Sequence, residues 1–162
     1  MICECFAPIG KRGARVLIVG SMPGAASLAA GEYYAHPQNA FWRILFSFFG
    51  KPLSRDYGEK KKLIEENSLA LWDTVQSCTR EGSLDGNMRG IRPNDFEAFF
   101  AAYPGIRTVL CNGKTAYGLF LAARAGEGKK ILRMPSTSPA YTLAYGEKAA
   151  AWTEALAEAL ER

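Results

Sequence analysis

Four short runs of aliphatic and β-branched residues, separated by segments of helical periodicity, constrain the fold of this 162-residue chain more than any other feature. The first, Val16-Leu17-Ile18-Val19, is apolar without alternation and stops at Gly20. A strand covered on both faces reads this way, whereas a half-exposed one would alternate. Residues 69–75 (LALWDTV), 108–111 (TVLC) and 130–134 (KILRM) read as three further strands. Helical spacing covers residues 39–49, with Pro37 near its start, and the charged stretch 59–67. Another helix opens at Pro93-Asn94-Asp95 and stops at Pro104-Gly105, and two more cover 114–125 and 146–160. Residues 76–92, with Gly82, Gly86 and Gly90 among polar groups, read as a loop. Strand and helix therefore alternate four times. The expected fold is a three-layer α/β/α sandwich around a central, mostly parallel four-stranded sheet, in one domain spanning 1–162. Ligands of such open sheets sit beyond the carboxyl ends of the strands. The segments to inspect start at Gly20, Val75, Asn112 and Pro135.

Composition excludes some function classes. A hydrophobic fraction of 48% with 22% charged residues is that of a chain able to bury a core. The formal net charge of +4 is below that of a protein that coats nucleic acid, and leaves open a local phosphate-facing patch. Lys60-Lys61-Lys62 reads as a solvated helix face. The apolar stretches 16–20 and 46–49 are too short to span a bilayer, so a cytoplasmic or nucleoid-associated protein without a membrane partner is expected. Cys3, Cys5, Cys78 and Cys111 form no CxxC pair, and the lone His36 does not complete a zinc set. Reduced thiols, no metal and no organic cofactor are the expectation.

Chemistry-bearing residues gather at the strand ends. GSMPGAASL, from Gly20 through Ser21 and Met22, is a Gly/Ser/Pro loop whose amides could hold an anion or a leaving group. It has neither P-loop nor GxGxxG spacing. YYAHPQNAFW packs Tyr34, His36 and Asn39 between aromatics. CNGKTA places Asn112 and Lys114 after the third strand, and MPSTSPA follows the fourth. Each residue also has a plainer reading. The aromatics can be core, Asn39 a helix-start residue, Asn112 a turn residue and Lys114 a solvated helix-start amine.

Taken together and in order, GSMPG…SL, YYAHPQNAFW, CNGKTA and MPSTSPA resemble the uracil-DNA glycosylase superfamily, most closely its hypoxanthine-DNA glycosylase (DNA-deoxyinosine glycosylase) branch. The resemblance runs from Val16 to the terminal helix. It implies a monofunctional repair enzyme that flips a deaminated base out of DNA and hydrolyses its N-glycosidic bond. In that branch the catalytic Asn lies in the HPxNxFW segment, which matches Asn39. Tyr34 matches the ring that stacks on the extruded base, Asn112 the side chain that hydrogen-bonds its edge, and Gly20, Ser21 and Met22 the loop that surrounds it. Pro135, Ser136, Thr137, Ser138 and Pro139, with Lys114, match DNA-contacting positions, and His36 is a possible accessory group. Ser21 stands where many members have Asn or Asp, and the His of the last loop in uracil enzymes is missing. Both departures argue against an efficient uracil enzyme. A uracil- or mismatch-specific glycosylase of this fold, a lesion-binding module without catalysis, and Schiff-base chemistry at Lys114 remain alternatives.

Overall fold

The computed structural model describes residues 1–162. Strands β1 (Ile2–Glu4), β2 (Ile9–Gly10) and β3 (Val16–Gly20) open the chain, followed by helices α1 (Ala25–Ala30), α2 (Phe41–Phe48) and α3 (Tyr57–Glu66). Then come β4 (Leu69–Asp73), β5 (Val75–Thr79), β6 (Arg89–Pro93), α4 (Phe96–Ala102), β7 (Thr108–Asn112), α5 (Lys114–Ala122), β8 (Lys130–Met134) and α6 (Tyr145–Ala159). The main sheet has the order β2-β4-β3-β7-β8. The four expected strands β4, β3, β7 and β8 pair in parallel, and β2 adds a fifth, antiparallel edge.

Every residue of β3 is buried. Alternation along it feeds two cores. Val16 and Ile18 join Phe41, Leu45, Ile64, Trp152 and Leu156 from α2, α3 and α6 on one side. Leu17 and Val19 join Phe96, Phe99, Ala116 and Phe120 from α4 and α5 on the other. The three-layer sandwich expected from the sequence is therefore the one observed, and a run without alternation is what two covered faces require.

Residues 76–92 depart from the expected loop. The 69–75 run breaks at Thr74, and β5 and β6 form an antiparallel ribbon with β1, apart from the main sheet. All five residues of β6 are exposed, so it carries no apolar period by which a strand could be recognised. Helix α1 was not expected either. Asp95 caps α4 by accepting from the Ala98 amide at 3.0 Å, so that helix begins at Phe96 rather than at Pro93. Helix α2 starts at Phe41 rather than residue 39, and α5 ends at Ala122 rather than residue 125. No helix is long and apolar enough to cross a membrane.

The edge strand depends on Gly10, whose φ of +148° and close approach to β4 leave no room for a side chain. A Cβ there would stand 2.8 Å from the Ala70 Cβ. Gly10→Ala is expected to lower stability by about 1–3 kcal/mol, seen as a lower urea midpoint with an unchanged slope.

Candidate active site

The carboxyl ends of β3, β4, β7 and β8 surround a cavity of about 820 Å³. Its walls come from the loop after β3 (Gly20, Ser21, Met22), from Tyr34, His36 and Asn39, from Asn112 and Lys114, and from residues 133–141. The sequence-predicted residues, dispersed over some 120 positions, thus meet in one place. It lies where the order of the parallel strands reverses around β3.

Asn112 ends β7 with both ends of its amide engaged. Its Nδ2 donates to Thr137 Oγ1 at 3.0 Å, and its Oδ1 accepts from the Thr137 amide at 3.0 Å. The side chain therefore pins the loop after β8, with one Nδ2 hydrogen left over. That loop is held along its length: Trp152 Nε1 donates to the Pro135 carbonyl at 2.9 Å and Lys148 Nζ to that of Ser138 at 2.9 Å. The Thr137 carbonyl in turn accepts from the Ala40 amide at 3.0 Å, which fixes the start of α2 against the loop.

Asn39 precedes α2 and accepts from the Phe41 amide through Oδ1 at 2.9 Å. It is a helix-start residue and a cavity residue at once, with its Nδ2 and one Oδ1 lone pair still available. His36 Nδ1 accepts from the Gln38 amide at 3.1 Å, which leaves the proton of the neutral ring on Nε2. The Tyr34 ring stacks on Phe41 with centroids 4.0 Å apart and 26° between planes, at a backbone φ of +54° that few tyrosines adopt. Ser21 Oγ donates to Asp85 Oδ1 at 2.8 Å. Lys114, the first residue of α5, is exposed at the rim.

Two carboxylates in the wall escaped the sequence reading. Asp73 ends β4 beside Gly20, its register partner on β3, and is 3% exposed. Asp85 lies in the turn between β5 and β6, whose tip folds over the loop after β3, with Ser83 Oγ accepting from the Ala25 amide at 2.8 Å. A Cβ on Gly20 would stand 2.6 Å from Asp73 Oδ1 and 3.0 Å from the Tyr34 hydroxyl. Glycine is thus required there by close approach. Burial, reinforced by Asp85 and opposed by Arg80, pushes the Asp73 carboxyl up to about 7. Burial, then Asp73, also raises Tyr34. Asp73 Oδ2, the Tyr34 hydroxyl, and Nε and one terminal nitrogen of Arg80 are the buried side-chain polar atoms without a protein partner. The other terminal nitrogen of Arg80 donates to the Pro23 carbonyl, beneath the same loop. LWDT offered one signal for Asp73: an acid closing an otherwise apolar strand.

Three of the four thiols lie near one another and the fourth lies apart, with Cys5 packed against the cluster that holds Cys3 and Cys78. Cys3 and Cys78 face one another across β1 and β5 in a small separate cluster, and Cys111 lies in the core beneath β3.

The sequence profile of the Uracil DNA glycosylase superfamily matches residues 7–161. The chain belongs to the uracil DNA glycosylase superfamily. Among its relatives, the Hypoxanthine DNA glycosylase of Methanosarcina barkeri (strain Fusaro) is 33% identical over 153 residues, 93% of this chain and 95% of that protein. A Hypoxanthine DNA glycosylase of Methanosarcina acetivorans is 32% identical over 141 residues, 86% of this chain and 89% of its own. A solution NMR structure described as a candidate uracil DNA glycosylase from Methanosarcina acetivorans superposes over 100% of both chains with a TM-score of 0.86, at 28% identity.

Two outcomes follow for this superfamily member. Thr137→Val removes the hydroxyl that accepts from Asn112 Nδ2 and keeps the amide that donates to Oδ1, which leaves the Asn112 amide half-unpaired. It is expected to cost about 1–3 kcal/mol in urea denaturation. The second concerns Asp73, whose pKa is raised in the fold. Its stabilising contribution is complete below the unfolded value near 3.8 and is lost as pH rises through about 7. Asp73→Asn lacks this slope, so thermal melts should show the variant gaining on the parent between pH 4 and pH 7. Parallel curves would mean an Asp73 already ionised in the folded state.

Proposed function

We propose that this protein is a monofunctional DNA glycosylase that releases hypoxanthine from deoxyinosine in DNA, acting as one domain over residues 1–162. The observation that carries the reading is the meeting of Asn39 with Ser21, Tyr34 and Asn112 at the mouth of one cavity, on a chain related to hypoxanthine DNA glycosylases. A base buried in a duplex must be extruded at a cost of a few kcal/mol, less when it is mispaired. The cavity returns part of that cost by stacking: a base laid on Tyr34 extends the stack already formed with Phe41.

Bond cleavage then develops positive charge on the sugar and negative charge on the departing purine. The sugar cation needs only a weak nucleophile, so the free lone pair of Asn39 Oδ1 suffices to orient water without acting as a strong base. The remaining Nδ2 hydrogen of Asn112 serves the purine edge, in the manner of donors preorganised toward developing charge. Asp73 contributes a largely neutral carboxyl below pH 7 rather than a second negative charge facing the leaving group. The loop of Pro135, Ser136, Thr137, Ser138 and Pro139 presses on the sugar–phosphate backbone, with Lys114 at the rim meeting phosphate. His36 is an accessory group. The protein acts as a monomer close to the nucleoid.

The test is release of free base from duplexes carrying one hypoxanthine, uracil or xanthine, with alkali added afterwards to reveal abasic sites. Hypoxanthine release without spontaneous strand cleavage is expected, and Asn39→Ala should lower the single-turnover rate at least about 100-fold. Preferential release of uracil would move the assignment to a uracil enzyme. Lesion binding without release of any base would leave a binding module. Full activity in Asn39→Ala would remove Asn39 from the mechanism.

A further inference from the structure

A second cavity of about 850 Å³ lies on the other side of the Tyr34–Asn39 segment and shares Tyr34, His36, Asn39, Pro139 and Tyr141 with the first. The two differ in charge. The wall of the first cavity mixes the acids Asp73 and Asp85 with the bases Lys114 and Arg133. The second has Arg43, Arg55, Lys60 and Lys148 against a single carboxylate, Glu32. None of these four cations takes part in an ion pair; the two salt bridges of the molecule are Met1–Glu81 and Lys130–Glu158. Three of them lie over aromatic faces instead: Arg43 is 3.7 Å from the Tyr145 centroid, Lys60 is 5.5 Å from that of Trp42, and Lys148 is 5.6 Å from that of Tyr141. Such contacts hold a cation in place without neutralising it. Tyr141 and Leu53, exposed by 47% and 55%, stand in the same wall.

Unpaired cations beside exposed aromatic and apolar groups suit a nucleic-acid strand, whose phosphates need charge and whose sugars and bases need flat, greasy contact. We infer that this groove carries the strand flanking the extruded nucleotide, with phosphates on Arg43, Arg55 and Lys60 and sugars and bases against Tyr141 and Leu53. The inference rests on the reading of the neighbouring cavity as the site of a DNA glycosylase and extends it to the surface that supplies affinity. The sequence alone reads Lys60-Lys61-Lys62 as a solvated helix face. Lys60 lies in the groove, and Lys61 and Lys62 do not.

Salt dependence of binding to undamaged, fluorescently labelled duplex tests the groove without requiring any catalysis. Each phosphate contact contributes about 0.9 to the slope of log K against log salt. Arg55→Gln/Lys60→Gln, which keeps most of each stem and removes both charges, should flatten that slope by nearly 2. Lys11→Gln/Arg12→Gln removes the same charge from the exposed turn before β3, at the opposite end of the strands, and should leave the slope as in the parent. Thermal melts confirm that both proteins are folded. Equal flattening in both pairs would reduce the effect to net charge and overturn the groove, as would no flattening in either. Hypoxanthine release with an unaltered slope would sink the groove alone. A selective change of slope in a protein that releases no base would keep the groove and sink the glycosylase.

Discussion

The reciprocal pair between Asn112 and Thr137 is the joint on which the catalytic face depends. One side chain at the end of a buried strand takes up both the amide and the hydroxyl of a residue in the opposing loop. Thr137 is 1% exposed, so breaking the pair would leave buried polar atoms without water to replace it. The Thr137 carbonyl then holds the Ala40 amide, and Asn39 is the residue immediately before. Position is thus handed from the sheet to the loop and from the loop to the helix start. A side chain held through such a chain of fixed donors and acceptors needs little rearrangement when a substrate arrives.

Around this joint the protein accepts costs it avoids elsewhere. The buried side-chain polar atoms lacking a partner belong to Tyr34, Asp73 and Arg80, all adjoining the loop after β3. Tyr34 adds a left-handed backbone conformation to a buried hydroxyl. Gly20 makes the crowding feasible, because the space of a missing Cβ is where the Asp73 carboxyl and the Tyr34 phenol approach. Unsatisfied polar groups collected in one wall, with a left-handed tyrosine among them, mark a surface organised for something other than stability.

What the sequence disclosed and what it hid follow from the same physics. The central parallel strands were legible because burial on both faces demands apolar residues without alternation, and 16–20 and 108–111 meet that demand. Asn39, Tyr34 and the MPSTSPA loop were legible because they occur as motifs in order at strand ends. The ribbon of β5 and β6 was hidden because β6 is exposed throughout, so backbone pairing holds it without an apolar pattern. Asp73 and Asp85 were hidden for a different reason. Their importance comes from flanking the loop after β3, Asp73 against Gly20 and Asp85 on the Ser21 hydroxyl, a tertiary relation that no local window contains. Asn112 was legible as a site residue, but its engagement with Thr137 is a tertiary fact.

Electrostatics explains why a protein of such modest net charge can engage a polyanion. The wall of the cavity holds Asp85, Lys114 and Arg133, with burial pushing the Asp73 carboxyl up to about 7, so it gathers no large charge of either sign. Affinity for phosphate has to come from charge placed near that wall without lining it. The adjoining groove places it there, with Arg43, Arg55 and Lys60 reaching solvent against the single acid Glu32, across the segment from Tyr34 to Asn39. Because the two surfaces share that segment, a strand drawn into the groove by charge is led to the rim of the neighbouring cavity. The excess of +4 is small when averaged over the molecule and large when gathered on one side of one loop. At that scale the distribution of charge, rather than its sum, determines what the surface can hold.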